Sequence, residues 1–368
     1  MMFMKGLLAM EKSSIFNEDQ AFQNLVKNAK RKSFKRIVFI TISVIISVVL
    51  LLWGLIATGQ YFMYKEMDKQ TTQNYLVNTF TGANIQGNGS NYDHFFLAGT
   101  TKSHMYKDVN GHQVSWLTRE HFYTILGTKA AVYTDSVFHN SNNTIYRNNQ
   151  RVIQFYPYTQ PKIEDDLAYL KSLPPYYSVE VAISFNKKLT LKEMAPQFPT
   201  AQWTWIIENG LLESIEERKK SEEEWTESQK EASVDFPEMP TTNFGLVNGD
   251  NAYGFQIIDS PAYSDNPFQS AEQFLDQIDM YAYDEKEALA FLKEKMVERG
   301  EDASGLALHG HEKLHEAEVL KNTIGIGDVE VNSLKVSGVV LTGTIEEVLP
   351  YLENDIVHYV SAGVILPY

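Results

Sequence analysis

The sequence predicts an α+β protein carried on a single transmembrane helix, and three observations predict it. One uncharged apolar run, IVFITISVIISVVLLLWGLIAT, fills residues 37–58. After it, up to about residue 160, short alternating stretches are separated by turn residues. From about residue 161 helical and extended patterns mix, and the chain closes on strand, helix, strand. The expected organisation is a short tail with an amphipathic helix (1–36), the transmembrane helix (37–59), a β-rich region (60–160) and an α+β region (161–368) with an antiparallel or mixed sheet.

Composition bounds what such a chain does. Hydrophobic residues make up 43% of it, with 20 Tyr and 20 Phe, enough to bury real cores. A formal net charge of −15 argues against direct binding of nucleic acid. There is no cysteine, which excludes disulfides, iron–sulfur clusters and every cysteine-containing zinc site. No phosphate-binding loop, dinucleotide fingerprint or nucleophile elbow occurs, so neither a cofactor nor a catalytic residue is expected.

The tail opens with MMFMKGLLAM, too short to span a membrane, and Met10 is a second candidate start. In IFNEDQAFQNLVKNAKRK, Asn17 is placed to cap a helix, with Glu18 and Asp19 in its first turn and lysines late, as the helix dipole favours. Phe22, Leu25, Val26 and Ala29 recur at helical spacing and form one apolar stripe. Two readings of the stripe stand side by side: it lies on the lipid surface, or it docks a partner in a groove.

The apolar run is roughly 33 Å long as a helix, enough to cross a hydrocarbon core of about 30 Å. Lys27, Lys30, Arg31, Lys32, Lys35 and Arg36 precede it, whereas only Lys65 and Lys69 follow closely, offset by Glu66 and Asp68. This bias predicts a cytoplasmic N-terminus and an extracytoplasmic body on a single-pass chain in the cell membrane, with the lipid bilayer as its first partner.

Beyond the span, Asn110–Gly111 between MYKDV and HQVSW signals a hairpin with a primed turn, and Asn148–Asn149 signals a weaker one. TGANIQGNGSNY reads as a loop. PKIEDDLAYLKSLPP is a short helix, and its Glu164, Asp165 and Asp166 are explained by helix-start electrostatics. YSVEVAISF alternates, with Val179, Val181, Ile183 and Phe185 on one face, and AQWTWII is a further strand. Residues 213–232 are dense in charges of both signs and read as a solvated helix or loop. Helical patterns return at 269–279 and 285–299. Finally, LKVSGVVLTG is a strand, TIEEVLPYL a helix with Thr344 and Glu347 in a capping-box relation, and DIVHYVSAGVILPY the last strand.

One motif asks for chemistry. HEKLH sets His311 and His315 at i and i+4 with Glu312 between them, the spacing of a zinc-protease helix. A metal site also needs a third ligand and an outer shell that orients the imidazoles. EAEVLKNT follows without a further histidine, and Glu318 and Glu330 have no motif around them. Lys313 and Glu316 stand where a buried zinc helix keeps uncharged residues. The motif is read as a decoy, and a zinc protease is the remotest of the functions considered.

The segments LAYLKSLPPYYSVEVAISFNKKLTLKEM, QWTWI and LKVSGVVLTGTIEEVLPYLENDIVHYVSAGVILPY resemble the C-terminal domain of the sigma-factor-regulator family. KRIVFI through FFLAGT, including the span and the GANIQGNGSNYDHFF segment, resembles the family's N-terminal region. The resemblance is to membrane-bound negative regulators of extracytoplasmic-function sigma factors in Gram-positive bacteria, of the anti-sigma-M type. It implies a non-enzymatic regulator that holds such a sigma factor and reports on envelope stress through the span. The tail is short for this work, so direct binding falls to Phe22, Leu25, Val26 and Ala29 with the basic cluster. Otherwise the partner is a second membrane regulator subunit and the chain is an accessory, envelope-facing binding module.

Overall fold

The computed structural model describes residues 3–94, 98–133, 136–140, 144–208, 245–257, 267–283, 285–298 and 330–367, with isolated positions between them, and it describes side chains from residue 22 onward except at 69–79, 88, 127–133, 281–282 and 285. The chain divides into two units, Met1–Phe62 and Met63–Tyr368.

A single helix, α1, runs from Phe3 to Phe80. It contains the uncharged run and is the one described helix long and apolar enough to cross a membrane. Two expectations are corrected by it. Asn17 does not start a helix, because the upstream Met, Leu, Ala, Lys and Glu are strong helix formers and extending a helix is easier than nucleating one. Nor does extended structure begin near residue 60: α1 continues about twenty residues further and the first strand starts at Ile85.

In the second unit, β1 (Ile85–His94), β2 (Ala98–Val109), β3 (His112–Thr124) and β4 (Gly127–Tyr133) form an antiparallel meander in chain order. The Asn110–Gly111 turn joins β2 to β3 as expected, with φ of 55° and 79°, the left-handed values that a primed turn demands. β1 replaces the loop expected over TGANIQGNGSNY. Its turn-like composition is absorbed by an irregularity between Gly87 and Ser90, with Gly89 at φ 75°. The short strands β5 (Val137–His139), β6 (Ile145–Arg147) and β7 (Gln150–Arg151) make a three-stranded sheet, and Asn148–Asn149 form the second expected left-handed turn, at φ 49° and 64°.

The C-terminal sheet is antiparallel throughout. β9 (Ser178–Thr190), β10 (Ala201–Ile206), β12 (Tyr253–Gln256), β13 (Lys335–Thr344) and β14 (Val357–Leu366) stand in the order β12-β10-β13-β9-β14. β8 (Gln154–Phe155) and β11 (Val247–Asn248) pair beside it. One face of the sheet carries the main core. Val179, Val181, Ile183 and Phe185 of β9 meet side chains from α2 (Leu167–Lys171), α3 (Leu191–Met194), α4 (Pro267–Ala282), α5 (Glu285–Glu298) and α6 (Ile345–Leu352). The opposite face is also covered. Ala182, Trp203, Trp205 and Val340 pack with Ile153 and Phe155, so β9 is buried from Ser178 through Phe185.

Two helices start where a strand stops. Thr190 ends β9 and caps α3; Thr344 ends β13 and caps α6. Each threonine accepts from the amide three residues on, while Glu193 or Glu347 returns the bond, and those bonds hold both glutamates below the usual carboxylate range. Thr344→Ala is expected to lower the unfolding free energy of the full chain by about 1 kcal/mol, read from denaturant titration in detergent.

Candidate functional site

The apolar stripe lies on α1 as the spacing requires. Phe22 and Leu25 are 67% and 68% exposed, Val26 and Ala29 are also exposed, and Lys27, Lys30 and Arg31 stand between and after them. Residues three and four apart share a helix face, so the four apolar side chains make a continuous ridge flanked by cations. What the structure places here is an exposed apolar ridge bordered by positive charge.

A second site lies inside Met63–Tyr368, and no motif announced it. Lys107 of β2 reaches Glu180 of β9, with Nζ at 2.9 and 3.0 Å from the two carboxylate oxygens, and both side chains are 0% exposed. The same ammonium stands 4.1 Å from the centre of the Trp116 ring. Asn84 donates to Glu180 at 3.1 Å and to the Asp108 carbonyl at 3.0 Å, and the Val364 amide donates to Glu180 at 3.4 Å. Trp116 carries the network on: its Nε1 donates to Asp250 at 2.9 Å, and Arg147 Nε donates to the other Asp250 oxygen at 2.8 Å.

Local sequence explains why these atoms meet. Inward residues of β2 alternate, so Lys107 follows Met105 on the face turned toward the C-terminal sheet. On β9, Glu180 falls between Val179 and Val181 and therefore points away from the helices. The side chains near it are small. A Cβ at Gly363 would collide with the Glu180 carboxylate and with Ile153. The signal available in the sequence is that smallness: Ser178, Ala182, Ser184, Ser361 and Gly363 make room for a second layer.

Burying two charges is repaid only by good geometry and satisfied partners, conditions that this cluster meets. It fixes which strand of the meander faces which strand of the sheet. A smaller cluster closes the edge: Arg151 donates to Asp166 at 2.6 Å, and the same carboxylate oxygen accepts from the Ala362 amide at 2.9 Å. Burial, with Asp166 nearby, pushes the Tyr359 hydroxyl up from its ordinary value. The expectation that Glu164, Asp165 and Asp166 occupy a first helical turn is corrected: α2 begins only at Leu167, and Asp166 makes no side-chain cap bond because its carboxylate is taken by Arg151 and the Ala362 amide.

His311, Glu312, His315 and Glu318 lie outside the described residues, as does most of 213–232. Among the described residues no group of three or more His, Asp or Glu side chains is arranged to hold a metal.

Two family models match the chain. The sigma factor regulator N-terminal model covers residues 23–114, and the sigma factor regulator C-terminal model covers residues 170–364. No curated protein and no solved structure matches it. Lys107 falls in the first matched segment and Glu180 in the second, so the buried ion pair ties the two together. The C-terminal match alone spans more than half of the chain, and the protein therefore belongs to the sigma factor regulator family, a single-pass membrane regulator of a sigma factor.

Proposed function

We propose that the chain is a negative regulator, of the anti-sigma type, of an extracytoplasmic-function sigma factor, with its N-terminus in the cytoplasm and its body facing the envelope. The observation that carries this reading is the exposed ridge of Phe22, Leu25, Val26 and Ala29, set among cations directly before the span of a sigma factor regulator. The excess of Lys and Arg on that side of the span supports the orientation. A single helix laid in a groove binds specifically through such anchors. With so few of them, each carries much of the affinity. Restraint is lost when an envelope signal reaching the body disengages the ridge from the sigma factor.

The test is the pair of substitutions Phe22→Asp and Leu25→Asp in the chromosomal gene. Target transcripts of the partner sigma factor are expected to rise to the level seen when the gene is deleted, with the amount of membrane-inserted protein unchanged. Unchanged transcripts in a stably inserted variant would remove the ridge from the mechanism.

A further inference from the structure

We propose that the tip of the β3–β4 hairpin, Thr124 to Gly127, rests in the lipid headgroup region next to the span, with Leu126 as its apolar anchor. The inference rests on the span and not on which side of the membrane the body occupies.

The path of the chain within Met63–Tyr368 sets which end of the meander is near the membrane. Met63 packs with Met67 and Tyr123, and its Cε is 3.9 Å from where a Gly99 Cβ would stand. At the far end of the same segment, Asn84 bonds the Asp108 carbonyl and Ile85 pairs with Lys107. Residues 63–84 therefore travel from the Gly99 end of β2 to its Lys107 end. β1 then returns to the first end, where the His94 ring meets Tyr64 at 5.0 Å. Met63 follows Thr58, the last residue of the uncharged run, by five positions, and five residues reach at most about 18 Å even fully extended. The Gly99 end of the meander is thus held close to the bilayer by covalent reach alone.

The residues at that end suit a lipid surface. β3 ends one residue past Tyr123, at Thr124, which pairs with Gly127 across the two-residue tip. There the Leu126 amide donates to Thr124 Oγ1 at 3.2 Å, and the Leu126 side chain is 82% exposed. A lone exposed leucine needs no explanation, but this one has company. Tyr92 on β1 and Phe122 on β3, on opposite faces of the sheet, are both substantially exposed beside it, and Tyr64 is exposed on α1. Aromatic rings gathered next to a span favour the membrane–water interface. The apolar zone stops one residue pair further along, where Lys102 and Glu120 form a half-buried ion pair at 3.5 Å. Asp93 and His94 are exposed at the same end, which sets the depth at the headgroups and not in the hydrocarbon.

The chain has no cysteine, so single-cysteine labelling of the full protein is clean. The variants are Leu126→Cys at the tip, Gln113→Cys at the opposite end of the meander and Val48→Cys within the span. Each carries a bimane label and is reconstituted into phosphatidylcholine–phosphatidylglycerol vesicles, with and without spin-labelled lipid as quencher. Quenching at position 126 is expected to exceed that at 113 several-fold and to come closer to that at 48. Equal quenching at 126 and 113 overturns the proposal. So does a label at 126 that is shielded from water but not quenched by lipid, which would identify a protein contact. Absence of quenching at 48 would instead overturn the span, and the hairpin proposal with it.

Discussion

Lys107→Met is expected to lower the stability of the body by about 3–5 kcal/mol, because it leaves the Glu180 carboxylate buried without its counter-charge. Methionine fills the space of the lysine stem and keeps contact with Trp116, so the loss reports the charge and not a cavity. The Asn84 amide and the Val364 N–H stay beside Glu180, but two neutral donors do not replace an ammonium in a site closed to water. Denaturant unfolding of the full chain in detergent, followed by tryptophan fluorescence, measures it, since Trp116, Trp203 and Trp205 are all buried. The double variant Lys107→Met with Glu180→Leu is expected to recover more than half of the loss, as apolar replacements of buried ion pairs often do. A single variant that loses less than about 1 kcal/mol would mean that the pair behaves as an exposed one.

That pair also marks the limit of what could be read from the sequence. The features that were legible are local. Asn110–Gly111 is a turn because both residues tolerate positive φ, and Thr344 with Glu347 is a cap because its bonds close within three residues. The stripe of Phe22, Leu25, Val26 and Ala29 follows from helical spacing alone. What escaped is decided at a distance. Lys107 and Glu180 are 73 positions apart, and nothing near either residue names the other. The extension of α1 to Phe80 was hidden by a Thr-, Asn- and Gln-rich segment indifferent to helix or strand. Phe80 itself is settled by the main core of the C-terminal sheet, which it joins. β1 looked like a loop because its glycines and asparagines serve a bulged strand, a use that only the pairing with β2 reveals.

The middle of the sheet that holds these pieces is vulnerable at Gly338, and Gly338→Ala is expected to destabilise the body by about 3 kcal/mol or more, at or beyond the upper end of ordinary overpacking. A Cβ there would collide with the Ile183 carbonyl oxygen on β9 and would stand 3.2 Å from the Trp205 ring on β10. β13 is the middle strand and is paired on both sides, so it cannot retreat from one neighbour without pressing on the other. The β9–β13 register already shifts between Val336 and Gly338, which indicates that the close approach is part of how these strands fit. Gly343→Ala on the same strand is the control. Its added methyl would meet the Glu347 carboxylate at 3.2 Å and a Val348 methyl at 3.3 Å, crowding relieved by shifts of a few tenths of an ångström in side chains and not in backbone. Unfolding midpoints of the two variants in detergent should therefore separate clearly, with Gly338→Ala far lower. Equal midpoints would show that β13 is free to shift, and that the middle of the sheet is not the rigid element against which Glu180 and Lys107 are set.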